Sequence, residues 1–166
     1  MQCLISANSD PTLASRRGMQ PLHYLCMREV EPKEISLASS MLRMLLTANP
    51  PLDELDGDDA SALHYCAAQN NLACAHILLE AGANPNIQSR NHDVSPLHIA
   101  MLEKNFDFAD LLYAYGAVDT IPNKFGQTPR ELLTGKRNSY KPPNCGTAQE
   151  IQAVLERIVP HNLKPV

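Results

Sequence analysis

Four short segments of similar sequence recur along this chain of 166 residues. They read QPLHYL from Gln20, SALHYC from Ser61, SPLHIA from Ser95 and TPRELL from Thr128, so their first residues are 41, 34 and 33 positions apart. The recurring unit is therefore about 33 residues long. A fixed period of this size indicates small structural units stacked side by side, because one such unit cannot bury its apolar face alone.

The two middle units each contain a second apolar run that ends in a glycine, NLACAHILLEAG and NFDFADLLYAYG. In the first of these runs, Cys74, Ile77, Leu78 and Ala81 have the spacing of one helical stripe, and Gly82 favours the left-handed conformation that ends a helix. Ser or Thr directly before Pro, in the third and fourth segments, favours a helix start. The pattern predicts pairs of short helices, which are stable only when stacked on neighbouring pairs.

These motifs resemble the ankyrin repeat, in which T-P-L-H-x-A opens a first helix, L-L-x-x-G-A ends a second helix, and a D-x-x-G turn precedes the next repeat. The resemblance implies an all-α ankyrin-repeat solenoid of stacked helix pairs with β-hairpin-like loops, forming a single domain over residues 1–166. The expected divisions are a partial repeat at 1–14, repeat one at 15–55, repeat two at 56–89, repeat three at 90–122, a divergent C-terminal capping repeat at 123–160 and a tail at 161–166.

The chain departs from the family pattern in each repeat. Repeat one holds eight extra residues around Glu29–Ser36, repeat two has Asp59 where the turn glycine is expected, and repeat three has one extra residue in its leading turn. Repeat four has Arg130 and Glu131 in place of Leu and His. A polar, proline-containing loop at Lys136–Gly146 then precedes a capping helix, which we predict begins with the T-x-x-E capping box at Thr147.

Charge and hydropathy exclude several classes of function. Lys plus Arg number 14 and Asp plus Glu number 18, so the net charge of −4 disfavours binding to nucleic acid through phosphate contacts. No apolar stretch approaches the roughly 18 residues of a membrane span, and the first residues lack the pattern of a secretory signal. The five cysteines are odd in number and form no C-x-x-C pair, which favours free thiols and an intracellular location, cytoplasmic or nuclear.

Neither a metal site nor another cofactor is expected. His23, His64 and His98 recur at one repeat position, and stacked helices lie roughly 10 Å apart, whereas zinc ligands lie ~2.0 to 2.1 Å from the metal. The resemblance implies instead that these histidines hydrogen-bond backbone groups between neighbouring hairpins. The acidic run at 53–59 lacks the ligand spacing of an EF-hand loop, so it is more typical of a solvated hairpin tip.

An enzymatic activity is not expected either. Cys66 lies two residues after His64, and residues at this spacing face different directions on a helix, so Cys66 is better interpreted as a packing residue. Cys145 lies in the polar loop without a nearby base. The G-K pair at Gly135 and Lys136 lacks the other residues of a phosphate-binding loop.

In the ankyrin family, the hairpin tips and the exposed face of each first helix line a concave groove that binds other polypeptides. Carried over to this chain, the resemblance places the following residues in the partner-binding groove: Arg16, Arg17, Met19, Met27, Arg28, Asp58, Gln69, Asn91, His92, Leu102, Glu103, Lys124 and Phe125. The arginines of repeat one and the acidic turn of repeat two favour a partner segment that is acidic toward the first repeat, basic toward the second and apolar near Phe125. Scattered surface apolar residues without a partner remain the alternative.

The expected function is a non-catalytic protein–protein interaction module, such as an adaptor or scaffold. The alternative is a substrate-targeting or regulatory domain of a larger enzyme, a transcriptional regulator or a bacterial effector, since a fold does not choose among these functions. The identity of the partner and the oligomeric state stay open. Asn86 lies where asparagines of this family can be hydroxylated, although Pro85 departs from the usual neighbour.

Overall fold

The computed structural model describes residues 13–28 and 34–132. Within these residues there are seven helices and no strand: α1 (Pro21–Met27), α2 (Ile35–Leu46), α3 (Ala62–Ala68), α4 (Leu72–Glu80), α5 (Pro96–Leu102), α6 (Phe106–Ala114) and α7 (Pro129–Leu132). The predicted all-α solenoid of helix pairs is confirmed. Most of the partial repeat at 1–14, the loop at Lys136–Gly146 and the helix predicted from Thr147 lie outside the described residues.

The helices stack in two layers. The first helices α1, α3, α5 and α7 pack against one another in chain order, and the second helices α2, α4 and α6 do the same. Buried leucines from both layers, together with Phe108 of α6, form one continuous apolar cluster between them. Because helices of 12 residues or fewer are marginal in water when isolated, this stacking supplies most of their stability.

The recurring histidine joins each first helix to the next repeat. In α3, the Nδ1 atom of His64 accepts the Ser61 backbone N–H at 3.1 Å and lies 2.8 Å from the Ser61 hydroxyl. Since Nδ1 is an acceptor, the ring proton is on Nε2, which donates to the Val94 carbonyl at 2.9 Å. Burial lowers the pKa of His64 and so keeps the ring neutral, as this arrangement requires.

The same arrangement repeats along the stack. His23 accepts the Gln20 N–H and donates to the Glu54 carbonyl at 3.0 Å. His98 accepts the Ser95 N–H and donates to the Gln127 carbonyl at 3.1 Å. The bonds between neighbouring hairpins that the resemblance implied are therefore confirmed at all three histidines.

Glu131 takes the histidine position in α7. Its carboxylate accepts the Thr128 N–H at 2.9 Å, while the Thr128 hydroxyl accepts the Glu131 N–H at 3.4 Å. This reciprocal capping box begins the helix in the same way as the histidine does.

Each repeat opens with a turn that is closed by a side-chain oxygen. In repeat two, Asp56 Oδ1 accepts the N–H groups of Asp58 and Ala60, at 3.0 and 3.1 Å. The Asp56 N–H in turn donates to the Ala60 carbonyl. In repeat three the corresponding bond runs from Ser89 to Val94 and so encloses one residue more, which confirms the predicted extra residue.

Asp59 replaces the turn glycine and has a positive φ of 66°. Aspartate tolerates this left-handed conformation better than most residues. Its carboxylate oxygens accept the backbone N–H groups of Arg90 and Asn91, at 2.9 and 2.5 Å. Partial burial would raise the pKa of Asp59, but the hydrogen bonds from Asn91 and Arg90 outweigh that effect and lower it. Asp59 therefore fixes the turn of repeat two to that of repeat three.

Part of the extra segment in repeat one is helical. Helix α2 has 12 residues, whereas α4 and α6 have nine each. It begins at Ile35, so that Ile35 and Ser36 lengthen the helix at its N-terminal end instead of belonging to a loop.

Replacing His64 with Leu is expected to lower the free energy of unfolding by about 1 to 3 kcal/mol, because the buried Ser61 N–H loses its acceptor and the Val94 carbonyl keeps only the donor from Ser89. Urea denaturation followed by circular dichroism measures this change. His92→Leu is the control, since the His92 side chain is exposed. An unchanged midpoint for His64→Leu would contradict the structural role.

Asp59 and Asp93 form a matched pair for testing the bond between turns. Both have a positive φ, 66° and 53°, but only the Asp59 side chain accepts backbone N–H groups of another repeat. Both Ala variants carry the backbone strain, so Asp59→Ala is expected to destabilise by up to about 1 kcal/mol more than Asp93→Ala. Equal losses in urea denaturation would show that the two hydrogen bonds add nothing.

Candidate functional site

The four turns form a continuous row, which we name the tip ridge and define as residues 15–19, 56–60, 89–94 and 123–127. Each turn is hydrogen-bonded to the next. The Gly57 N–H donates to the Arg17 carbonyl at 2.6 Å, the N–H groups of Arg90 and Asn91 donate to Asp59, and the Lys124 N–H donates to the His92 carbonyl at 2.9 Å. The ridge is therefore a rigid surface whose tips keep fixed relative positions.

Gly57 permits the first of these contacts. A Cβ atom at this position would lie 2.6 Å from the Arg17 carbonyl oxygen, closer than a carbon atom can approach. The absence of a side chain lets the turn of repeat two approach the backbone of repeat one, which is one of the recurring uses of glycine.

Twelve of the thirteen residues predicted to bind a partner have exposed positions on the tip ridge or at the first helices. The turns present Arg16, Arg17, Asp58, Asn91, His92, Lys124 and Phe125. The first helices and the residues just after them present Met27, Arg28, Gln69, Leu102 and Glu103. Arg28 pairs with Glu34 at 2.9 Å, so part of its charge is compensated within the chain.

The prediction is wrong at Met19, whose exposed fraction is only 6%. Hydrogen bonds with Ser15 hold its backbone on both sides, since the Met19 carbonyl accepts the Ser15 N–H and the Ser15 hydroxyl accepts the Met19 N–H. This geometry places Met19 just before helix α1, where its flexible apolar side chain is removed from water. Met19 is therefore part of the core, and its side chain is not presented on the exposed face.

Two large apolar side chains stand out on this face. Phe125 at the last tip is 71% exposed, and Leu102 at the end of α5 is 59% exposed. The Phe125 ring stacks on His92 of the neighbouring tip, with centroids 6.3 Å apart and ring planes at 29°. Apolar groups surrounded by polar residues are typical of a protein interface.

Arg90 and Tyr24 are also exposed but do not belong to the set of residues predicted from the sequence. Arg90 lies in the turn that contains the extra residue, where the family pattern gives no equivalent position. Tyr24 directly follows His23, at a position that the family motif leaves unspecified. In repeat two the equivalent Tyr65 is half-buried, with its ring edge-on to His23 at 6.2 Å and its hydroxyl donating to Asp56 at 2.7 Å.

The described cysteines are packing residues. Cys26, Cys66 and Cys74 are all buried as free thiols, as predicted for Cys66. Burial raises the pKa of Cys66 well above its ordinary value and that of Cys74 to about 12, so neither thiol forms a thiolate nucleophile near neutral pH.

Within residues 13–28 and 34–132, no three His, Cys, Asp or Glu side chains come together in a way that could hold a metal ion. No helix in these ranges combines the length and apolar character needed to span a bilayer.

Comparison with known proteins places the chain among repeat proteins. The family described as Ankyrin repeats (3 copies) matches residues 1–89 and, in a second overlapping match, residues 35–124. The chain is 28% identical over 134 residues to the nuclear factor NF-kappa-B p105 subunit of Gallus gallus, covering 80% of this chain and 13% of that protein.

Two other relatives also match this chain over only a small part of their own length. The transient receptor potential channel pyrexia of Drosophila melanogaster is 29% identical over 123 residues, 74% of this chain and 12% of the channel. Protein fem-1 homolog C of Xenopus laevis is 37% identical over 91 residues, 53% of this chain and 14% of that protein. The chain thus spans only 12 to 14% of the length of these relatives.

The native protein is expected to leave Cys26, Cys66 and Cys74 unmodified during brief treatment with iodoacetamide near pH 8, because all three thiols are buried and burial raises the pKa of Cys66 and of Cys74. The same protein treated in concentrated urea should be alkylated at all three residues. Peptide mass spectrometry measures both reactions. Rapid native labelling of Cys66 would contradict its assignment to the core.

Proposed function

This chain belongs to the ankyrin-repeat family, and from that premise we propose that it is a non-catalytic module that binds a partner polypeptide along the tip ridge and the first helices. Ankyrin repeats are generally protein-interaction modules. The observation that carries the proposal is the exposure of Phe125 and Leu102 on the face formed by the ridge and the first helices. A partner that covers these apolar groups stabilises the complex by roughly 25 cal/mol for each Å² of apolar surface removed from water.

The rigidity of the surface supports the same function. The backbone of every turn is closed by hydrogen bonds, and each turn is bonded to its neighbour. A partner that docks on the ridge therefore does not have to order these loops, which reduces the entropic cost of association. The surrounding charged and polar side chains provide the rim that orients a partner and excludes others.

The alternative function is a targeting or regulatory domain within a larger protein. Relatives named as a channel and as a nuclear factor subunit both contain a matching segment, and in each the segment is a small part of the whole. Repeats of this family thus occur in proteins of different function. In such a protein the module would supply the recognition step, and the free, buried cysteines support its placement inside the cell.

Selection from a displayed library of random 16-residue peptides tests the proposal. Peptides that bind the wild-type chain are expected to bind Phe125→Ser and Leu102→Ser about tenfold or more weakly, because buried apolar contacts dominate such interfaces. Fluorescence polarisation with labelled peptides measures the dissociation constants, and circular dichroism checks that each variant folds.

The matched control is Leu37→Ser. Leu37 is 61% exposed, almost the same as Leu102, but it lies on α2 in the layer of second helices. Binding should be unchanged in this variant. If every selected peptide binds all three variants as tightly as the wild-type chain, the proposed surface is wrong.

A further inference from the structure

The acids of the tip ridge do not all face solvent. The ridge contains four cations, Arg16, Arg17, Arg90 and Lys124, and four acids, Asp56, Asp58, Asp59 and Asp93. From the sequence, the acidic turn of repeat two was expected to attract a basic part of the partner. The structure shows that the oxygens of two of these acids are already bonded within the chain.

Asp56 is buried, and both of its carboxylate oxygens accept hydrogen bonds from other groups of the chain. One oxygen accepts the N–H groups of Asp58 and Ala60, and the other accepts the Tyr65 hydroxyl at 2.7 Å. Both oxygens of Asp59 accept N–H groups from repeat three. These N–H dipoles partly compensate the two negative charges. Asp56 has little capacity left to accept bonds from a partner, and each oxygen of Asp59 already accepts one backbone N–H.

The cations of the ridge are in a different situation. All four belong to exposed residues, and the ion pairs between described side chains involve Arg28, Arg43, His76 and Arg130 instead. Arg90 lies in the field of Asp59, while Arg16 and Arg17 occupy the first tip and Lys124 the last. Facing solvent, the ridge thus offers four cations against the carboxylates of Asp58 and Asp93 and the partly exposed carboxylate of Asp59, which is hydrogen-bonded to repeat three.

We infer that the partner segment is acidic over most of its length, with carboxylates toward both ends of the ridge and one apolar side chain against the stacked rings of His92 and Phe125. This inference rests on the proposed function and replaces the alternating charge pattern expected from the sequence. Carboxylates of the segment pair with the guanidinium groups of Arg16 and Arg17 at one end and with the Lys124 ammonium at the other.

An acidic polypeptide fits this surface better than a nucleic acid. The ridge has as many cations as acids, so the net charge of −4 lies outside it and repels a polyanion that extends beyond the ridge. An apolar side chain of a peptide can also cover the exposed aliphatic side chain of Leu102.

The same displayed library of 16-residue peptides provides the test. Peptides whose binding depends on Phe125 are expected to be enriched in Asp and Glu and to contain an aromatic or aliphatic residue. Arg16→Glu and Lys124→Glu should each weaken their binding about fivefold or more at low ionic strength, and the effect should shrink in about 0.5 M salt.

The matched control is Arg43→Glu, which makes the same charge change at an exposed residue of α2 and should leave binding nearly unchanged. Peptides that need Phe125 but are neutral or basic, and that bind Arg16→Glu as tightly as wild type, would overturn the inference and leave the proposed function standing. Displacement of the selected peptides by a 16-nucleotide oligothymidine at similar concentration would overturn it in favour of nucleic acid. Selected peptides that all bind Phe125→Ser and Leu102→Ser as tightly as the wild-type chain would contradict the proposed function itself.

Discussion

The repeats depend on one hydrogen-bonding constraint at the joint between neighbouring helix pairs. Each first helix begins with a buried backbone N–H that needs an acceptor, and leaving it unpaired costs about 1 to 3 kcal/mol. Each first helix also has to be joined to a backbone carbonyl of the next turn. A neutral imidazole has one acceptor and one donor on different sides of a small ring. His23, His64 and His98 use the acceptor to begin their own helix and the donor to bind the next repeat, so one side chain satisfies both needs.

The tip ridge follows from this packing. When the histidines fix the spacing of the first helices, the turns that precede those helices are brought close enough to bond directly. Gly57 allows the closest approach, and Asp59 spans the next gap with its carboxylate. The result is a rigid edge on which Phe125 and Leu102 remain exposed although each is large and apolar. A surface of this kind is suited to recognition, because its geometry exists before a partner arrives.

Much of this arrangement could be predicted from the sequence because it is local. The period of the repeats, the serine or threonine before each proline and the glycine after each second helix depend on residues within one unit. The extra residue in repeat three was visible in the same way. The helical extension at Ile35 was not, since nothing in the spacing distinguishes a longer loop from a longer helix. Met19 was wrongly predicted to be exposed, because its position in the motif does not determine the direction in which its flexible side chain packs.

The periodic pattern was sufficient for the fold, the family and most of the surface residues, because side chains at equivalent positions of a repeat face the same direction. The charge that the surface presents depended on the folded chain. Asp59 and Arg90 are 31 residues apart, and only the stacking of repeats brings the backbone N–H of one to the carboxylate of the other. From the sequence alone, a carboxylate in a turn is expected to be free to bind a partner. The N–H groups that donate to the Asp59 carboxylate belong to a different repeat, so they can be identified only from the tertiary structure.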